Sequence, residues 1–167
     1  MAGQAVAREN VAIRQRPAKT SLAIVICTAA YFVLTLGWFV ASMFVSWIWI
    51  AGVASLLVGG ACYLLMPVEY ELSNDMLTVF THVGRRQFGR VVGCSRVDRS
   101  VYFGLRLFGA GGVFGGLGFY WTPRYGLFRA YVTSARIQDM VMVETERQKI
   151  LISPERPEGF LAGSGGS

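Results

Sequence analysis

The residues that most often perform catalysis or bind metals are few and scattered in this chain. The only histidine, His82, follows a predicted strand and has no Ser, Cys or carboxylate at a triad-like spacing. No two acidic residues pair as general acid and base. The cysteines show no CxxC or Cys/His spacing, which argues against a zinc site and a disulfide framework. The sequence therefore predicts a protein that is not an enzyme and has no catalytic residue, metal or cofactor. The residues considered are Asp98, Asp139, Glu144, Glu146, Cys27, Cys62 and Cys94.

A glycine-rich segment, residues 109–118, is the most distinctive local motif. It contains six glycines, but no Gly-Lys-Ser/Thr follows it and the next stretch has the pattern of a strand. Both facts argue against a phosphate-binding loop or a dinucleotide fingerprint. We interpret the segment as a mobile or tightly turned loop with apolar side chains. Such a loop would enter the bilayer interface, insert into a neighbouring subunit, or pack on its own domain. The side chains concerned are Phe108, Val113, Phe114 and Leu117.

Aromatic residues follow this segment directly. Phe119, Tyr120, Trp121 and Tyr125 lie close together in the sequence with Arg124 among them. Aromatic residues and arginine are enriched among the side chains that dominate protein–protein interfaces. We therefore predict that residues 119–121 extend the interaction loop.

A cluster of basic residues precedes the glycine-rich segment. Arg85, Arg86 and Arg90 are possible contacts to anionic lipid, and Arg96 and Arg99 continue the stretch. Each basic side chain near an anionic leaflet contributes about 1 kcal/mol. The alternatives are a solvated strand face and the general excess of positive charge on cytoplasmic segments. The pI of about 9.6 would suit nucleic-acid binding, but no aromatic–basic motif accompanies it, so we predict no nucleic-acid partner.

These candidate residues all lie in a chain whose composition indicates a membrane protein. The chain has 167 residues, of which 53% are hydrophobic and 16% charged, whereas soluble domains average about 25% charged. Residues 21–66 contain no Asp, Glu, Lys, Arg or His. This run is too long for one span of about 20 residues and for the h-region of a signal peptide. It predicts two transmembrane helices, at residues 21–44 and 47–66.

The charges that flank this run predict its orientation. The N-terminal segment, residues 1–20, is basic, and the predicted turn between the spans has no Lys or Arg. By the positive-inside rule both termini are then cytoplasmic. We expect a cytoplasmic-membrane protein with two spans.

Small residues mark one face of the second predicted span. Ala51, Ser55 and Gly59 are spaced by four, which allows close helix approach, and Gly37 and Ala41 form a similar pair on the first span. The two spans could pack on each other through these residues, or the residues could form a contact between protomers.

The sequence pattern changes from Pro67 onward, where short runs of strand-forming residues alternate with turn signals. A short helix over residues 155–161 is predicted to follow the strands, with Ser153 as its N-cap. No βαβ spacing is present, which argues against a doubly wound fold. We expect residues 67–162 to form one β domain and residues 163–167 to be a linker or tag remnant. The predicted strands are residues 68–72, 76–81, 86–92, 118–122, 127–133, 140–144 and 149–153.

Several of these segments resemble the bacterial PH-like domains. The resemblance is found in residues 105–109 and 111–116, in residues 126–133, and in an ending formed by residues 141–144, 150–153 and 154–160, which includes the Ser-Pro…Pro-Glu-x-Phe pattern. It covers residues 68–162 and implies a seven-stranded sandwich or partly open barrel whose open end is closed by a C-terminal helix. Many such proteins carry one or two N-terminal spans. Residues 118–125 depart from the family pattern because they are unusually aromatic.

Together these observations predict a membrane helical hairpin followed by an all-β PH-like domain. The function we favour is a membrane-anchored scaffold or interaction protein that self-associates or serves as an accessory subunit of a membrane complex. The alternative is a sensor of anionic lipids at the inner face of the membrane. The expected partners are the lipid bilayer, further copies of the chain, or other membrane-protein subunits.

Overall fold

The computed structural model describes residues 12–43, 49–111 and 115–163. A short strand, β1 (Ile13–Gln15), precedes two helices, α1 (Leu22–Ala41) and α2 (Trp49–Leu64). Eight strands and a final helix follow. They are β2 (Pro67–Ser73), β3 (Met76–Thr81), β4 (Arg85–Arg96), β5 (Leu105–Gly111), β6 (Gly116–Thr122), β7 (Gly126–Val132), β8 (Val141–Thr145), β9 (Lys149–Ile152) and α3 (Pro157–Gly163).

The two helices differ in length. Helix α1 has 20 residues and is the one described helix that is long and apolar enough to cross a membrane. Helix α2 has 16 residues, and at 1.5 Å per residue it is only about 24 Å long. The described helices therefore do not confirm the prediction of two spans.

Helices α1 and α2 pack against each other through a small polar cluster. The hydroxyls of Thr35 and Ser55 are 3.0 Å apart, the Ser55 hydroxyl lies 3.2 Å from the Tyr31 hydroxyl, and the Tyr31 hydroxyl donates to the Ser55 carbonyl. Gly59 lies so close to the Tyr31 ring that a Cβ would come within 2.9 Å of it. The polar groups of these apolar helices therefore form hydrogen bonds with each other, because an unpaired polar group in an apolar environment is energetically costly.

The predicted row of small residues is used only in part for this contact. Ser55 and Gly59 face α1, whereas Ala51 is exposed. Its neighbour Gly52 faces α1 instead, since a Cβ at this position would lie 3.1 Å from the Phe39 ring. On α1, Gly37 is exposed and has no neighbour within 4 Å of its ideal Cβ position.

Both helices are tied firmly to the sheet. Before α1, the Ala18 amide donates to the Ser153 carbonyl at 2.7 Å, and the Thr133 hydroxyl donates to the Ala18 carbonyl at 2.9 Å. After α2, only two residues precede β2, and the Tyr63 ring stacks on His82 with their centroids 4.7 Å apart. His82 thus lies in the β3–β4 turn, directly after β3.

The strands form one open mixed sheet of nine strands in the order β1-β2-β3-β4-β8-β9-β7-β6-β5. All neighbours are antiparallel except β7 and β9. The sheet encloses a core to which most strands and α3 contribute, as expected when side chains alternate between faces. A second core covers the other face of β7, β8 and β9. The first contains Tyr70, Leu72, Leu77, Val79, Phe88, Leu117, Tyr131, Val141, Val143, Ile150, Ile152 and Phe160; the second contains Val97, Val101, Phe128, Ala130, Val132, Met140, Met142 and Leu151.

The seven predicted strands are all present, as β2, β3, β4, β6, β7, β8 and β9. The sequence analysis missed β1 and β5. It was also wrong about the start of the final helix, because α3 begins at Pro157 and Ser153 does not cap it. The buried Ser153 hydroxyl instead accepts a hydrogen bond from the Thr133 amide at 2.9 Å, and Pro154 forms a bridge with Pro17.

The helix contact at Gly59 leads to a testable prediction. In Gly59→Leu the new side chain must displace Tyr31, and overpacking of this kind costs about 1–3 kcal/mol. Gly60→Leu is the matched control, because Gly60 is exposed with no neighbour within 4 Å and Leu is the better helix former. Thermal unfolding in detergent should show a lower midpoint for Gly59→Leu only. Equal midpoints for the two variants would contradict this packing.

Candidate functional site

The glycine-rich segment forms a β-hairpin where a loop was predicted. Strand β5 runs to Gly111 and β6 begins at Gly116, and their register pairs Gly109 with Gly118. Gly109 and Gly115 have φ of +127° and +138°, and a Cβ would lie 2.1 Å and 2.2 Å from backbone oxygens. Glycine is therefore required at both positions. The predicted tip residues Val113 and Phe114 lie outside the described residues.

This hairpin runs alongside the bases of both helices, with a cleft on each side. On the α1 side lies an apolar cleft of about 280 Å³, which we call the α1 cleft. Residues of α1 and of the second core line it, among them Ile24, Cys27, Gly116, Phe128 and Val132. The glycine-rich end of the sheet is therefore the end beside the helices.

On the α2 side lies a larger cleft of about 860 Å³, which we call the α2 cleft. Helix α2 supplies an apolar wall. The sheet supplies aromatic and basic side chains from β4, β5, β6 and β7. The residues concerned are Val58, Ala61, Cys62, Leu65, Arg86, Arg106, Leu107, Leu117, Phe119, Arg129 and Tyr131.

Arg86 and Arg129 reach this cleft from different strands. Arg86 is opposite the core residue Val79 and alternates with the buried Phe88, so it lies on the inner face of β4. The Arg129 guanidinium lies over the Phe119 ring, 5.0 Å from its centroid, and 5.2 Å from that of Tyr131. Such cation–π contacts hold a guanidinium in place without neutralising its charge.

The predicted group of three basic residues is not brought together. Arg85 and Arg86 are adjacent on β4 and therefore point to opposite faces, and only Arg86 lines the α2 cleft. Arg90 lies further along β4 and is 3.5 Å from the Asp75 carboxylate. Arg129, which does reach the cleft, had no signal in the sequence because its position depends on the bend of the sheet.

The predicted aromatic stretch alternates between the two faces of the sheet. Phe119 lies under Arg129, whereas Tyr120 stacks on Phe128, with their centroids 5.9 Å apart, in the second core. Burial raises the pKa of Tyr120, and nearby Arg106 opposes that shift. Leu117 is buried in the first core. Phe108 belongs to β5, and its side chain lies outside the described part.

The opposite end of the same strands exposes a row of apolar side chains. The register pairs Leu105 with Trp121, and Trp121 with Leu127, across β5, β6 and β7. These side chains are 62%, 45% and 55% exposed, respectively. Leu105 is six residues from Gly111, or about 20 Å along a strand, so this distal row lies at the opposite end of β5 and β6 from Gly111 and Gly116.

Ion pairs neutralise several of the other arginines. Arg96 donates to both carboxylate oxygens of Glu158, at 2.7 and 2.8 Å, and Arg124 pairs with Asp98. Arg14 of β1 pairs with Glu69 of β2, and its hydrogen bond lowers the pKa of that carboxyl. Within the described residues there is no group of three His, Cys, Asp or Glu side chains that could hold a metal ion.

The family of bacterial PH domains matches residues 68–163, which is more than half of the chain. The chain therefore belongs to this family, and the predicted resemblance and PH-like fold are confirmed. PH domains are typically non-catalytic. No curated protein matches the chain, and no solved structure does.

The two required glycines yield a second prediction. Gly109→Ala places a Cβ against the Leu117 carbonyl in a backbone conformation that disfavours alanine, at an expected cost of about 1–3 kcal/mol. Gly84→Ala is the control, because its Cβ would meet open space. Chemical unfolding of the full chain in detergent should show a loss of stability for Gly109→Ala alone. A loss that is the same for both variants would contradict the hairpin geometry.

Proposed function

We propose that this protein is a membrane-anchored PH-domain interaction module that self-associates and performs no catalysis. In this proposal α1 and α2 anchor it in the cytoplasmic membrane of a bacterium, with both termini and the sheet on the cytoplasmic side. Most side chains of both helices are apolar and exposed, as lipid-facing residues are. Residues 43–48 and 65–66 are uncharged, which supports a second span longer than α2 itself.

The distal row of Leu105, Trp121 and Leu127 carries the proposal of self-association. A contiguous exposed apolar surface rimmed by polar residues marks an interaction site. We assign the row to a protein partner because it lies on β5, whose outer edge is open in the described sheet, and on the neighbouring strands β6 and β7.

A second copy of the chain is the partner that the sheet edges favour. Strand β5, which carries Leu105, pairs only with β6 in the described part of the sheet and leaves its other edge open. Open edges with apolar side chains readily pair with another chain. The opposite edge, β1, has only three residues, and its Gln15 is engaged by the Arg156 amide at 3.1 Å.

Self-association can be tested by measuring the particle mass of the full chain in mild detergent. We expect the wild type to be a homo-oligomer and Leu105→Lys to shift it to smaller species, because a charge at the centre of an apolar contact is costly. Val92→Lys is the control, since Val92 is also exposed (62%) but lies on β4, outside the row.

A monomeric wild type would contradict the proposal. So would an oligomer that Leu105→Lys and Val92→Lys affect equally. The purified protein could instead contain an unrelated chain in fixed proportion. If Leu105→Lys abolishes that complex, the accessory-subunit function replaces self-association.

A further inference from the structure

The α2 cleft combines an apolar wall with unneutralised positive charge. Val58, Ala61 and Leu65 line one side, and Arg86 and Arg129 line the other. Four other arginines of the chain pair with carboxylates, but Arg86 and Arg129 have no such partner among the described residues. A cleft with two such walls suits a ligand with a negatively charged group and a hydrocarbon part.

A buried tyrosine at the border of the cleft holds one of these arginines in place. Tyr131 lines the cleft and is only 3% exposed, with its hydroxyl buried in the first core and without a hydrogen bond to the described residues. The Arg129 guanidinium lies over its ring, 5.2 Å from the centroid, so the tyrosine positions this charge at the cleft.

We propose that the α2 cleft binds one anionic phospholipid, with the phosphate between Arg86 and Arg129 and an acyl chain along α2. The inference rests on the membrane anchoring proposed above but not on self-association. Guanidinium groups bind phosphate through charge-assisted hydrogen bonds. The volume of about 860 Å³ lies within the range of known small-molecule sites, and α2 continues the apolar wall away from the sheet.

The placement of Arg86 and Arg129 makes this site selective. Arg85, the neighbour of Arg86, points to the opposite face and does not line the cleft, so a general attraction to the membrane would not distinguish the two. Arg106 lines the cleft too but lies beside the Tyr120 hydroxyl, and we assign it no part in binding.

Native mass spectrometry of the full chain in detergent, with added dioleoyl phosphatidylglycerol, tests this site. We expect the wild type to retain one phosphatidylglycerol molecule in preference to phosphatidylcholine. Arg86→Gln and Arg129→Gln should each weaken retention about tenfold, the loss of one strong charged hydrogen bond. Arg85→Gln removes the same charge from the same strand and should retain phosphatidylglycerol like the wild type.

Further measurements keep each outcome decisive. Thermal unfolding of each variant establishes that it is folded. If Arg129→Gln is unstable because it loses its contacts with the Phe119 and Tyr131 rings, Arg86→Gln alone decides the result. Equal retention by Arg85→Gln and Arg86→Gln overturns the site, as does equal retention of phosphatidylcholine. Inorganic phosphate that displaces phosphatidylglycerol supports recognition of the phosphate. A chain that binds inorganic phosphate but no phosphatidylglycerol overturns the lipid assignment.

The cysteines allow the bound lipid to be located. Cys62 lines the α2 cleft and Cys27 lines the α1 cleft, so each can serve as the single labelled thiol in a chain whose other two cysteines are replaced by alanine. Phosphatidylglycerol should slow maleimide labelling of Cys62 and leave that of Cys27 unchanged. Protection of Cys27 alone would place the lipid in the other cleft and overturn the assignment. Because this readout does not depend on particle mass, its failure is distinguishable from a failure of self-association.

Discussion

The short, hydrogen-bonded connections between the helices and the sheet are the constraint on which the rest of the structure depends. Ala18 is bonded to Ser153 and Thr133 just before α1 begins, and Tyr63 stacks on His82 just before α2 leads into β2. Neither connection contains a flexible linker. These contacts attach the base of each helix to the sheet, and the contact of Ser55 with Tyr31 and Thr35 joins the helices to each other.

This constraint gives the two ends of the sheet different surroundings. The glycine-rich hairpin lies between the helix bases, where its glycines allow the strands to pair closely and leave room for a cleft on either side. The distal row of Leu105, Trp121 and Leu127 continues the same strands beyond the α2 cleft. The proposals assign the cleft to lipid and the distal row to protein. The two proposals use different residues of the same three strands and do not compete.

The sequence predicts most of the fold but little of the site. A β-rich run between turn signals identified β3 with its exact ends, and the glycine-rich segment together with the Ser-Pro ending indicated the family. Strand β5 was missed because Gly109 and Gly111 are poor strand formers, and only pairing with β6 makes them extended. Arg86 and Arg129 are far apart in the chain, and the bend of the sheet brings them to one cleft. Arg85 and Arg86 point to opposite faces because side chains alternate along β4, an alternation that the sequence analysis did not apply to this basic cluster.

The central claim is that the attachment of the helices holds the α2 cleft at the bilayer and the β2–β3 turn away from it. Quenching of tryptophan fluorescence by brominated phospholipids tests this most directly, in a chain whose Trp38, Trp47, Trp49 and Trp121 are replaced by phenylalanine. With Met76→Trp, at the turn about 20 Å along β2 from the end of α2, the account predicts no quenching. With Leu107→Trp, which places the indole in the α2 cleft, it predicts strong quenching. Quenching at position 76 as strong as that at position 107, or no quenching at either position, would contradict it.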